Sequence, residues 1–178
     1  MSNANDLQAQ GIQQFQKKRY DEAGTLFRQA QAAYEAGEQP DMAAEMRVNL
    51  GLVYRAQGEL QQALDEMSAA YAVFEGMGDQ KRLAMTLGNM GAAYKALDDK
   101  EQAYRCYREA ADLFDALGEK AHYGETLLAI ADLQMSEHKV TAAAATYEVG
   151  LGELEHLSAS QKVIRNLTGL RNKLLGGG

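Results

Sequence analysis

The chain has 178 residues, of which 46% are hydrophobic and 24% charged, a composition typical of a globular domain and not of a disordered segment. A net charge of −7 disfavours binding to a phosphate backbone, so we expect no nucleic acid partner. No stretch reaches the roughly 20 apolar residues that span a bilayer, and the first residues lack a secretory signal. We therefore expect no membrane insertion and a cytoplasmic location. The single cysteine, Cys106, leaves no intramolecular disulfide and fits a reducing compartment.

Helix-forming residues dominate the chain, strand patterns are missing, and Pro40 is the one proline. Apolar residues recur at spacings of three and four, so that they share one face of each helix. These patterns predict eight helices in chain order: 4–17, 21–36, 41–57, 60–76, 79–97, 100–117, 120–136 and 139–157. The first, third, fifth and seventh are called the A helices below, and the others the B helices.

The sequence repeats itself at a shift of 40 residues. Small residues recur at one position of each A helix and at two positions of each B helix, and a large residue lies between the latter two. A fixed period of this size indicates a solenoid built from repeated helix pairs. The aligned positions are Gly11, Gly51, Gly91 and Ala131; Ala23, Ala63, Ala103 and Ala143; Phe27, Met67, Tyr107 and Tyr147; and Ala30, Ala70, Ala110 and Gly150.

The small residues have a physical cause in this interpretation. Two helices approach to roughly 8 Å only where neither carries a bulky side chain at the crossing. We therefore expect Gly51, Ala63 and Ala70 to mark the contact between the A and B helices of the second repeat. The large residue between the alanines fills the remaining space.

Two segments carry a family resemblance. Leu50-Gly51-x-x-Tyr54 followed by Ala63-x-x-x-Met67, and Met90-Gly91-x-x-Tyr94 followed by Ala103-x-x-x-Tyr107, resemble the tetratricopeptide repeat (TPR). The 40-residue stride is similar to that of kinesin light chain and of the Leu-Gly-Asn repeat family. The resemblance implies an all-α fold, a right-handed superhelix of four helix-turn-helix repeats. Their bounds are about 4–40, 41–78, 79–118 and 119–158.

The C-terminal segment continues the repeat register. Residues 159–174 are predicted to form a helix that caps the solenoid, because Arg171 replaces the small residue at the crossing position. This helix carries Lys162, Arg165, Arg171 and Lys173 with no acid, so it either complements an acidic body or docks a partner. Residues 1–174 are thus predicted to be a single solenoid domain, and 175–178 a flexible glycine-ended tail.

Signatures of catalysis and of metal binding are missing from the sequence. His122, His138 and His156 lack the spacing of a helical metal site, and Cys106 lies within a predicted helix beside an apolar position. We interpret the histidines as surface or turn residues and the cysteine as a packed thiol. The prediction is a protein that is not an enzyme and has no cofactor or metal.

By resemblance to the TPR family, the A helices line a concave groove that holds an extended peptide. Asn49 and Asn89 occupy a position that contacts a bound peptide backbone in kinesin-light-chain-like repeats, and an amide can donate and accept together. Arg55 and Lys95 offer positive charge to an acidic side chain or to a terminal carboxylate. The groove positions carried over by register are Asn49, Leu52, Arg55, Met85, Asn89, Lys95, Asp132 and Met135.

The sequence therefore predicts a scaffold that binds a segment of another protein. An assembly module that self-associates through its concave or capping surface is the main alternative, and a small-molecule sensor is a further one. The identity of the partner is not encoded in any motif found here.

Overall fold

The computed structural model describes residues 3–166, which contain eight helices of 13 to 18 residues and a further helical stretch at 159–166. The helices are α1 (Ala4–Gln16), α2 (Tyr20–Ala36), α3 (Pro40–Gln57), α4 (Leu60–Met77), α5 (Gln80–Ala96), α6 (Lys100–Ala116), α7 (Lys120–Ser136) and α8 (Val140–Gly152). No strand occurs in this part of the chain, so the predicted all-α fold is confirmed.

Seven of the eight helices match the predicted spans to within one residue at each end. The exception is α8, which was predicted to continue to residue 157 but ends at Gly152. That prediction was wrong because two glycines, Gly150 and Gly152, fall in the last turn, and glycine costs about 1 kcal/mol relative to alanine inside a helix. The remainder of the predicted capping helix, from residue 167 onward, lies outside the described residues.

The turns recur at half of the 40-residue period that the sequence shows. A residue with positive φ occurs every 20 residues, and each gives way to the next helix within two residues. At each of these turns two backbone hydrogen bonds close the helix end in the pattern of a Schellman motif, as in Arg19 N–H to Gln14 C=O at 3.0 Å. The turn within a repeat and the turn between repeats are therefore alike. The residues are Lys18, Glu38, Gly58, Gly78, Asp98, Gly118 and His138.

The described chain divides between Asp99 and Lys100 into two compact units. In the first unit, α1 to α5 pack in chain order, and α3 also approaches α5. In the second, α6 packs on α7 and α7 on α8. The single domain over residues 1–174 stays a prediction.

The small residues lie at the helix crossings, as predicted. The Ala23, Ala63, Ala103 and Ala143 side chains are fully buried, and so are Ala30, Ala70 and Ala110. A Cβ atom built at Gly11 would lie 2.6 Å from the Phe27 ring, and one at Gly51 would lie 2.7 Å from Met67 Cγ. Small residues on the A helices thus admit the large residue of the B helix in the same pair.

Candidate functional site

The candidate site in the first unit is the exposed side of α3 and α5, the two A helices that carry six of the predicted groove residues. Asn49, Leu52 and Arg55 are half-buried on α3. On α5, Asn89 is half-buried, while Lys95 and Met85 are exposed, Met85 by 44%. The first unit therefore brings these six residues onto two neighbouring helices.

The two asparagines differ from most polar residues around them. Within residues 3–166, no hydrogen bond reaches the side-chain amide of Asn49 or of Asn89. Arg55 and Lys95 likewise form no ion pair in that part of the chain. An amide that is half-buried and has no protein partner keeps both a donor and an acceptor free for another molecule.

The ends of these helices are joined by a charged network that the sequence did not predict. Arg82 on α5 contacts Asp41 at the start of α3, with Nη1 and Oδ2 3.2 Å apart, and its Nε lies 2.6 Å from Asp79 Oδ2. The Arg82 guanidinium also stacks 5.2 Å from the centroid of the Phe74 ring. This arginine therefore fixes α5 to α3 at one end of the candidate site.

Asp79 is the N-cap residue of α5 and stabilises the end of that helix at which Arg82 contacts α3. Its carboxylate accepts from the Arg82 backbone N–H at 3.0 Å. That hydrogen bond, together with the side-chain hydrogen bond and charge of Arg82, holds the pKa of Asp79 below its usual value despite partial burial. The signal available in the sequence was an acid three residues before an arginine at a helix start.

Glu45 of α3, four residues before Asn49, is already engaged by other residues of the first unit. Its Oε1 accepts from Gln8 Nε2 of α1 at 2.9 Å, and its Oε2 lies 4.0 Å from Arg82 Nη1. Glu45 therefore links three A helices of the first unit instead of facing a ligand.

The second unit contains the other two predicted groove residues, both on α7. Met135 is exposed by 43%. Asp132 is exposed too, but its Oδ1 accepts a short hydrogen bond from the Tyr147 hydroxyl of α8. Burial and the neighbouring Asp132 raise the pKa of Tyr147 to about 12. The Asp132 carboxylate is thus committed to packing α7 against α8.

The histidines and the cysteine lie as predicted. His138 is the positive-φ residue of a turn, His156 is exposed, and His122 stacks on Phe114 with ring centroids 5.0 Å apart. Cys106 is buried. Over the described range, no group of three or more His, Cys, Asp or Glu residues is placed to hold a metal ion. No helix there is both long and apolar enough to cross a membrane.

Repeated antiparallel helix pairs with small residues at each crossing define a tetratricopeptide-type helical-repeat protein. Within that class, the chain belongs to the soluble NSF attachment protein (SNAP) family, whose model matches residues 1–158. The family is named for attachment to another protein, which fits a protein-interaction scaffold. The narrower likeness to the kinesin light chain variant stays a prediction.

Solved structures share the fold. The chain is similar to BtubC (BKLC) from P. vanneervenii, with a TM-score of 0.79 and 18% identity over 97% of this chain and 72% of that one. It is also similar to the apo form of RapI, with a TM-score of 0.81 and 13% identity over 98% of this chain. The chain spans 51% of RapI. Among curated proteins, no match was found.

Proposed function

We propose that the exposed side of α3 and α5 binds an extended segment of a partner protein, and that the chain is a non-enzymatic scaffold. The observation that carries this proposal is the pair of free amides, Asn49 and Asn89, at the same position of successive repeats. Each amide can donate to a peptide carbonyl and accept from a peptide N–H. Peptide backbone supplies both groups in every residue.

The spacing of the helices suits an extended ligand. Packed helix axes lie about 8 to 10 Å apart, and an extended chain advances about 3.3 Å per residue. The two asparagines would therefore contact backbone groups about three residues apart. A segment of about six residues is long enough to contact both amides and the flanking side chains.

The charges toward the C-terminal ends of the same two helices indicate the chemistry of the segment. Arg55 and Lys95 follow the asparagines by six residues on their helices and form no ion pair in the described chain. They favour a partner that carries an acidic side chain near the amide-bound backbone. Met85 and Leu52 add apolar area between them. A cytoplasmic location for this interaction stays a prediction.

The test is a selection of peptides from a random library on the immobilised protein, followed by titration calorimetry with the selected peptide. We expect the Asn49→Ala/Asn89→Ala variant to bind it at least tenfold more weakly, because two hydrogen bonds are lost. Gln62→Ala, which removes an exposed amide from α4, is the matched control and is expected to bind as the unmodified protein does. Equal affinity of the double variant would exclude this site.

A further inference from the structure

A cavity that lies entirely within the second unit is a second candidate site. It has a volume of about 390 Å³ and is lined by the start of α6 and by the turn between α7 and α8. Four of the seven Lys and Arg residues in 100–166 line it, although that stretch carries more acids than bases. The lining residues are Lys100, Glu101, Tyr104, Arg105, Arg108, Glu137 and Lys139.

The two acids of the cavity are already paired. Glu101 lies 2.5 Å from Arg105, and Glu137 lies 3.0 Å from Lys139. The lining has more cations than carboxylates; Lys100 has a further interaction of its own, and Arg108 lies outside both of these pairs. The Arg108 guanidinium stacks 6.0 Å from the Tyr104 ring centroid and has no carboxylate partner in residues 3–166.

The internal repeat shows why the Arg108 guanidinium has no hydrogen-bond acceptor within residues 3–166. Two repeats earlier, the equivalent Arg28 donates from Nη2 to the Tyr54 hydroxyl at 3.1 Å and stacks on the same ring. The residue equivalent to Tyr54 is Gln134, which has no aromatic ring. Its side-chain Nε2 instead donates to the Tyr104 hydroxyl oxygen at 3.0 Å. Arg108 therefore stacks on a tyrosine ring as Arg28 does, but it lacks the hydrogen bond to a tyrosine hydroxyl that holds Arg28.

Tyr104 also has no counterpart in the first repeat, where its position is Gly24. Its hydroxyl accepts from Gln134, which leaves the phenolic proton available to a ligand in the cavity. Gln134 is 7% exposed, and its Oε1 is buried without a hydrogen-bond partner. This oxygen only accepts hydrogen bonds and offers nothing to an anion, so the contribution of Gln134 is the amide N–H that it donates to the Tyr104 hydroxyl.

From these contacts we infer that the cavity binds a phosphoryl dianion. A phosphate monoester carries about two negative charges at neutral pH, which suits a lining in which cations outnumber carboxylates. Arg108 offers the planar fork of donors that suits phosphate oxygens, and Tyr104 offers a hydroxyl donor beside it. The dianion is either a free phosphate compound or a phosphorylated side chain of a partner.

Titration calorimetry separates these sources with two probes. The first is inorganic pyrophosphate, with sodium chloride at equal ionic strength as its control, and the second is a short peptide with one phosphoserine, with the unphosphorylated peptide as its control. We expect saturable one-site binding of at least one probe. Tighter binding of pyrophosphate would identify the free compound as the source, and tighter binding of the peptide would identify the partner side chain.

Variants of the protein test whether the phosphate probe binds in this cavity. Arg108→Gln is expected to weaken binding at least tenfold and Tyr104→Phe a few-fold, the losses expected for a charged and for a neutral hydrogen bond. Arg28→Gln is the matched control because the same residue type is removed from the equivalent repeat position, and it should bind as the unmodified protein does. Arg108→Lys keeps the charge and should bind at an intermediate level.

Failure of both probes to bind the unmodified protein would overturn the inference. Equal weakening by Arg28→Gln and Arg108→Gln would also overturn it, since the effect would then follow from net charge alone. Thermal unfolding of each variant verifies that it is folded. The Asn49→Ala/Asn89→Ala variant should bind phosphate normally, so the result is independent of the proposed peptide site.

Discussion

Gly51 on α3 and Met67 on α4 are in such close contact that a Cβ atom at Gly51 would lie 2.7 Å from Met67 Cγ and 3.0 Å from the Ala63 carbonyl oxygen. Met67 is fully buried there. The same relation joins Gly11 and Phe27 in the first repeat. In the first two repeats the glycine of the A helix is therefore a steric requirement of the crossing, which explains why it recurs after 40 residues.

Gly51→Ala should destabilise the protein by about 1 to 2 kcal/mol. Overpacking costs about 1 to 3 kcal/mol, and alanine recovers up to about 1 kcal/mol of helix propensity. Urea unfolding measures the change. Gly76→Ala on α4 is the control, because its added Cβ meets nothing within 4 Å, and it should be neutral or stabilising. If Gly51→Ala and Gly76→Ala changed the free energy of unfolding equally, α3 and α4 could not cross as closely as described.

The positive-φ turns predict opposite effects for two substitutions. Gly58 has φ of 85° and open space around it, so Gly58→Ala should cost about 1 kcal/mol through backbone conformation alone. Glu38 has φ of 55°, and Glu38→Gly should stabilise by up to about 1 kcal/mol. Thermal unfolding would show the midpoint shifting down for the first and up for the second. Shifts of the same sign would contradict the turn assignment.

Tyr147 predicts a pH dependence at the alkaline end. Its pKa is raised to about 12 in the folded protein, against about 10 in the unfolded chain, so the unfolded state loses this proton first. Stability should therefore be unaffected by this group below pH 10 and should fall as pH rises from 10 to 12. Tyr147→Phe should remove that part of the slope. An unchanged slope in the variant would mean that burial and Asp132 do not raise the pKa of Tyr147.

The link between α3 and α5 is testable through Arg82 and Asp41. Their side chains are 31% and 29% exposed, so the pair is partly shielded from solvent. A double-mutant cycle of Arg82→Gln and Asp41→Asn should give a coupling of about 1 kcal/mol in chemical unfolding. The cycle of Arg82→Gln with Gln62→Ala should give none. Additive effects for Arg82 and Asp41 would contradict the contact that positions the two helices.

Much of the fold follows from local rules. The crossing glycines and alanines recur with the repeat, and the helix bounds follow from apolar spacing and turn residues, so α1 to α7 could be predicted closely. The early end of α8 was missed, although its cause, the two glycines of the last turn, is also local. The close approach of α8 to α7 at Gly150 could not be predicted from the sequence. A Cβ atom at Gly150 would lie 2.9 Å from the Gly124 carbonyl oxygen, a contact between residues 26 positions apart.

Less of the candidate site than of the fold could be predicted from the sequence. Register placed Asn49 and Asn89 on adjacent helices, since equivalent positions of a repeat share a face. It could not reveal that Glu45 and Asp132 are used internally, because their partners Gln8 and Tyr147 lie on other helices. The Arg82 network was missed for the same reason. Such pairs depend on how side chains reach between elements, which periodicity does not encode.

The central claim is that free amides on neighbouring A helices receive an extended peptide. The most direct measurement is the NMR signal of the Asn49 and Asn89 side-chain NH2 groups, assigned with the single Asn→Ala variants, during titration with the library-selected peptide. The account predicts that both signals shift and saturate together with the calorimetric binding curve. Saturation of peptide binding with both amide signals unmoved would contradict it.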